Sequence, residues 1–190
     1  MKMKLKKTIV MKFRDIALQY RMGAGFAGDV TRTHPTAIEP AMVGTSGGSV
    51  PPTQYGIPVL VDASNGIRQF AAGDTAITVP YGFIVRPYPV QAQQTTNYGS
   101  ANIGSATPPT AGVVDIQRSG TILAPLNSAA GTPTKGGPVF VWCAATTAGH
   151  TQGGLETVAS SGNTAALDPN RWMFNGPADA SGLVEISNNV

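Results

Sequence analysis

A single cysteine, Cys143, stands in the 190 residues, so no disulfide can form within the chain and stability must come from an apolar core and from partners. Charge is scarce as well: Asp, Glu, Lys and Arg together make up 12%, about half the usual share of a soluble protein. Much of the polar surface is therefore Thr, Ser, Asn, Gln and backbone, a bland exterior suited to being covered by neighbours. The two histidines, His34 and His150, have no second His, Cys or carboxylate pair at ligand spacing, so no metal site and no cofactor is expected. Nor is any carboxylate pair spaced for acid and base work, which makes an enzyme the weakest reading. No run approaches the roughly 20 apolar residues of a membrane span, and no membrane partner is expected.

What charge there is lies unevenly. Residues 1–32 carry eight Lys or Arg against two Asp, whereas the remainder carries five against eight. The Lys-rich start opens as a secretory signal would, but Lys12 and Arg14 interrupt the apolar run before an h-region forms. Met3 and Met11 offer alternative starts. Basic and apolar residues alternate up to Ile16, after which Phe13, Ile16, Ala17 and Tyr20 fall at helical spacing. This reads as a basic arm over residues 1–21 with a short amphipathic turn or two.

From residue 22 onward the pattern is that of one β domain. The stretch Tyr55–Val90 sets it: short β-branched and aromatic runs are bounded by Asn, Gly, Asp and Pro, and none is long enough for a helix. Asn65-Gly66 suits a tight hairpin with positive φ at both positions, and Pro80-Tyr81-Gly82 can turn again before Phe83. Further strands are expected at Thr36–Val43, from Gly112 towards Pro125, at Pro138–Ala145, at Leu155–Ser160, from Asn170 and at Leu183–Ser187. In the second of these, Val114, Ile116 and Arg118 alternate with Val113, Asp115 and Gln117. Pro138–Ala145 is apolar on both faces, which makes it a central strand and Cys143 a core residue. The fold class is all-β: an antiparallel β-sandwich or a jelly-roll or barrel-like domain with an extended N-terminal arm. A long polar loop over residues 91–110 interrupts it, and loops of that length are uncommon unless functional or covered by a partner. Tyr98, Asn102 and Ile103 near its tip are candidate contact residues.

Two motifs invite chemistry without supporting it. Gly23, Gly25 and Gly28 have dinucleotide-binding spacing, but that site needs a helix to follow, and Asp29-Val30-Thr31-Arg32-Thr33-His34-Pro35 is a poor helix former. Gly44-Thr-Ser-Gly-Gly-Ser49 is similar to a serine-protease nucleophile loop, yet neither His34 nor His150 is placed to complete a triad. A flexible Gly/Ser turn is the simpler reading. His150 reads as a loop histidine.

Four segments, Gly25-Phe-Ala-Gly-Asp-Val-Thr-Arg32, Tyr55-Gly-Ile-Pro-Val-Leu-Val61, Tyr81-Gly-Phe-Ile-Val-Arg-Pro-Tyr-Pro89 and Trp172–Ile186 with its Gly-Pro-Ala-Asp-Ala turn, together resemble the capsid decoration, or structural cement, proteins of tailed double-stranded DNA bacteriophages. The likeness spans most of residues 22–190 and is carried by small-residue turns and apolar strands. It implies an all-β protein made in the host cytoplasm that sits on the outer face of the assembled head and bridges major capsid subunits. It also implies assembly with copies of itself as a trimer or a dimer, and it brings no catalytic residues. The arm lies outside the resemblance. Its Lys4, Lys6, Lys7, Lys12 and Arg14 would face acidic groups of a neighbour while Phe13 and Ile16 enter an apolar groove.

Two other classes remain open at this point. A carbohydrate-binding β-sandwich would use Tyr55, Tyr81, Tyr88 and Tyr98 for stacking. Nucleic-acid binding through the lysines of the arm would be salt-sensitive and blind to sequence. The acidic remainder of the chain and the lack of interleaved aromatics argue against the latter, so no direct nucleic-acid partner is expected.

Overall fold

The computed structural model of the chain describes residues 25–32, 35–87 and 107–188, and these residues form ten short to medium β-strands and one 3-10 turn. The strands are β1 (Ala37–Met42), β2 (Pro58–Val61), β3 (Ile67–Gln69), β4 (Gly82–Ile84), β5 (Val113–Pro125), β6 (Phe140–Trp142), β7 (Leu155–Glu156), β8 (Thr164–Ala166), β9 (Trp172–Phe174) and β10 (Leu183–Asn188). Every pairing between these strands is antiparallel. The protein is all-β, as its composition implied. β7 ends at Glu156, short of the expected Ser160, and β8 is a strand that the sequence did not mark.

The 13-residue β5 is the spine. Its first half is flanked by β1 and β4, and its second half by β10 and by the extended residues 28–31, so that one strand serves two parts of a sheet ordered β3-β2-β4-β5-β10-β9. A second sheet of three strands runs β7-β6-β8, with the Phe140–Trp142 run at its centre. One apolar cluster joins the two sheets: Phe83, Ile122, Phe174 and Ile186 from the long sheet meet Val141 and Ala165 from the short one. A second cluster, with Ile57, Val59, Ile84 and Ile116, lies on the other face of the β2–β4–β5 region.

Strands between two cores cannot alternate apolar with polar. In β2 Val59 enters one cluster and Leu60 the other, and in β4 Phe83 and Ile84 divide the same way. Each of these side chains is buried, which stabilises the fold by about 1.5–3 kcal/mol per residue. β5 departs from the expected alternation. Val114 and Ile116 are buried, but so is Gln117, while Arg118 is part-exposed, because the β1–β5 register slips between Ala37 and Ile38.

The β2–β3 connection corrects a second expectation. Asn65 is left-handed (φ 61), but Gly66 is not, and the loop holds the five residues 62–66 rather than two. Gly66 is glycine for space: a Cβ there would lie 2.4 Å from the Gly44 Cα. Asp62 organises this loop. Its Oδ1 accepts the Ser64 and Gly66 amides at 2.8 and 2.9 Å and the Ser64 hydroxyl at 2.7 Å.

Candidate assembly surface

Residues 25–32 are laid against the sheet by backbone bonding. The Gly28 amide donates to the Leu123 carbonyl (2.8 Å), the Leu123 amide to the Asp29 carbonyl (2.9 Å) and the Arg86 amide to the Gly28 carbonyl (2.9 Å). Gly28 has φ +88, and a Cβ would come within 2.8 Å of both the Arg86 nitrogen and the Tyr55 Cβ. Two of the three glycines of the nucleotide-like spacing are thus explained by a tight turn, in which the Asp29 carboxylate accepts the Phe26 amide (2.8 Å). An extended segment follows, with no helix. At its end Glu185 accepts bonds from the Thr31 hydroxyl (2.6 Å), the Arg32 Nε and Nη2 (3.1 and 2.5 Å) and the Asn175 amide (3.1 Å). Burial works to raise the Glu185 pKa, but these hydrogen bonds, with Arg32 foremost, outweigh it and hold the carboxyl below its usual range.

Description of the chain begins at Gly25 and breaks after Pro87. Those two ends share a corner. Phe26 is 63% exposed, and the Arg86 guanidinium lies 4.5 Å from its ring centroid. The candidate contact residues Lys4, Lys6, Lys7, Lys12, Phe13, Arg14 and Ile16 of the arm, and Tyr98, Asn102 and Ile103 of the loop, lie outside the described residues. Phe26 and Arg86, described residues close to them in sequence, lie in contact.

A second exposed area was not foreseen. On the β1–β5 ribbon Ile38, Pro40 and Met42 face outward while Glu39 and Ala41 turn inward, and Met42 stands opposite Val113 in register. Ile38, Met42 and Val113 are 47, 56 and 60% exposed, which makes this a group of apolar side chains rather than a scattered one. Asp115 lies opposite Pro40 on the same face. The Val43 amide donates to the Gly112 carbonyl, so alternate amides of β1 turn towards β5 and residue 40 presents its nitrogen outward. Proline has no hydrogen to offer there, which blunts the edge against strand addition but leaves the side chains open for contact. Pro40 inside an apolar run was the sequence signal for this edge.

Other candidates are occupied. The Ser46 and Ser49 hydroxyls both donate to Asp62 Oδ2 (3.1 and 2.5 Å), so the Gly44–Ser49 loop is tied down rather than free. The Ser49 and Ser64 hydroxyls lead in holding the Asp62 carboxyl far below its usual pKa. Beside it is an open depression of about 400 Å³ lined by Ser46, Ser49, Asp62, Arg68 and Asp74 among others, with no aromatic ring. Arg68 and Asp74 face each other in a two-bond pair (2.6 and 3.0 Å). Among the proposed stacking tyrosines, Tyr55 is buried and Tyr81 is covered by the Arg118 guanidinium at 3.8 Å, while Tyr88 and Tyr98 lie outside the described residues. His150 is more than a loop residue: it stacks on Trp142 at 4.2 Å and bonds the buried Glu156 (2.7 Å), which also accepts the Asn127 amide (2.6 Å). Cys143 is fully buried in the main core, and burial pushes its thiol up to about 11.

Comparison with known proteins supplies the class. A family model described as XM1 gp53 minor capsid protein matches residues 13–188. A chain from the solved capsid of Myoviridae phage XM1 shares the fold with a TM-score of 0.60 at 18% identity, over 90% of this chain and 93% of that one. No curated protein sequence matches. A two-sheet β body carrying an exposed apolar ribbon and matched in this way is a phage capsid-associated structural protein. The chain belongs to the XM1 gp53 minor capsid protein family.

Proposed function

We propose that this minor capsid protein is a decoration protein, one that binds the outer face of an assembled phage head and bridges neighbouring major capsid subunits. The observation that carries the reading is the β1–β5 ribbon. Ile38, Met42 and Val113 belong to neither apolar cluster and remain open to solvent on an edge whose Pro40 discourages continuation of the sheet. Such a surface fits side-chain packing against a fixed neighbour. The basic arm adds charge: with Lys4, Lys6, Lys7, Lys12 and Arg14 it would lie along an acidic neighbour.

Mass action explains how this stabilises a head. A protein that binds subunits only when they are joined favours the joined state by its binding free energy, and packaged DNA pushes the other way. Many copies engaging one lattice turn modest contacts into avid ones. Copies of the chain meeting as a trimer or a dimer would multiply that effect. Heads assembled without the protein provide the test. The full chain should co-sediment with them to saturation, and Met42→Asp with Val113→Asp should lower affinity at least tenfold while the circular dichroism spectrum is kept. Removal of residues 2–20 should also reduce occupancy. Unchanged binding by the double variant would remove the ribbon from the account, and unchanged binding by the truncated chain would remove the arm.

A further inference from the structure

Among the described residues, three buried side-chain polar atoms have no hydrogen-bond partner within the protein: Gln117 Oε1, Trp172 Nε1 and Asn188 Oδ1. Their residues are 2, 3 and 6% exposed, so bulk water does not reach them. Leaving such a group unpaired costs about 1–3 kcal/mol, and three together would be a heavy burden for a domain of ordinary stability. They are not scattered. Gln117 stands opposite Phe83 across the β4–β5 pair, and the Phe83 ring lies 4.6 Å from that of Trp172. Trp172 stands opposite Asn188 across β9–β10, and Asn188 opposite Gly120 across β10–β5. A Cβ on Gly120 would lie 2.6 Å from Gln117 Nε2, which closes the ring of neighbours.

The amide orientations are fixed by what they already bond. Gln117 Nε2 donates to the Ser119 carbonyl (3.0 Å), and Asn188 Nδ2 donates to the Arg118 carbonyl. Turning either amide over would set its oxygen against a backbone carbonyl oxygen, so in both side chains the oxygen is the atom left without a partner. The unmet set is then one N–H donor and two carbonyl acceptors. A cation would be repelled by the indole N–H, and an anion by the two oxygens. The ligand that matches accepts one hydrogen bond and donates two.

We infer that a single ordered water molecule is bound at this junction, accepting from Trp172 Nε1 and donating to Gln117 Oε1 and Asn188 Oδ1. Three hydrogen bonds are the usual complement of a buried structural water. It would tie β5, β9 and β10 together at Gly120, where β5 passes from its partners β1 and β4 to its partner β10.

Protein labelled with nitrogen-15 at tryptophan tests this, because the chain has two indoles. Trp142 Nε1 donates to the Ala145 carbonyl (3.1 Å) and serves as the control. Water-selective NOE and ROE spectra should show a long-lived water beside the Trp172 indole proton and none beside that of Trp142. Asn188→Leu, which deletes one acceptor, should abolish that cross-peak in a chain whose remaining tryptophan signals are unmoved. If that variant fails to fold, the wild-type spectrum decides alone. Absence of the Trp172 cross-peak, or a density map in which a protein atom fills the hydrogen-bonding position, would overturn the assignment.

Discussion

Gly28 is the residue on which the attachment of the N-terminal segment depends. Alanine there meets a left-handed backbone and a backbone nitrogen of β4's continuation at once, whereas alanine at Gly48 meets the same backbone problem (φ +93) in open space. Strain of this kind costs about 1–3 kcal/mol, so Gly48→Ala should fall near the low end and Gly28→Ala beyond it, as read from urea denaturation midpoints. At Cys143 the thiol should resist disulfide reagents at pH 8 in the folded chain and react only after unfolding. Because its pKa is raised on folding, its contribution is full below the unfolded value of about 8.5 and falls as pH climbs towards about 11. Glu185 behaves oppositely. Its folded pKa is lowered, so the stability it adds is present above the unfolded carboxylate range and fades as pH drops through the folded value. Glu185→Gln should therefore be less stable than the natural chain at pH 7, and the gap should shrink in thermal melts taken at progressively lower pH.

Among the elements, β1 is where sequence and structure taught different things. Its place as a strand was legible because Ile38, Ala41 and Val43 sit in a short apolar run before a Gly/Ser turn. Its role as an edge was signalled only by Pro40, and its outward apolar face by nothing local, since exposure depends on what the rest of the chain leaves uncovered. Replacing Pro40 with Thr returns an amide hydrogen to the outer edge. Light scattering should then show more self-association than in the natural chain at equal concentration, and identical behaviour would mean that Pro40 does not guard the edge. The β2–β3 loop shows a different limit. Asn65-Gly66 marked the turn correctly, but the longer loop is held by Asp62, which bonds Ser64 and Gly66 within it and also Ser46 and Ser49, partners 16 and 13 residues away. Long-range contacts of this sort leave no periodic trace.

Across the whole molecule, the all-β class and the central position of Phe140–Trp142 followed from short apolar runs and turn residues, because those constraints are local. The two-core arrangement did not, since which face of β2 or β4 each side chain enters is decided by strand order. The polar cluster of His150, Glu156 and Asn127 was missed for the same reason: its members come together only when β6 pairs with β7 and β7 meets the loop after β5. What unites the scales is a low-charge body with its apolar cores complete and one apolar ribbon left over. That combination suits the proposed role of a protein held against a capsid lattice. The most direct measurement is electron cryomicroscopy of heads saturated with the purified chain. The account predicts density for the β body on the outer surface, across the joints between major capsid subunits, with the Ile38–Met42 ribbon at the contact. Density confined to the interior of the head, or heads that bind none of the chain, would contradict it.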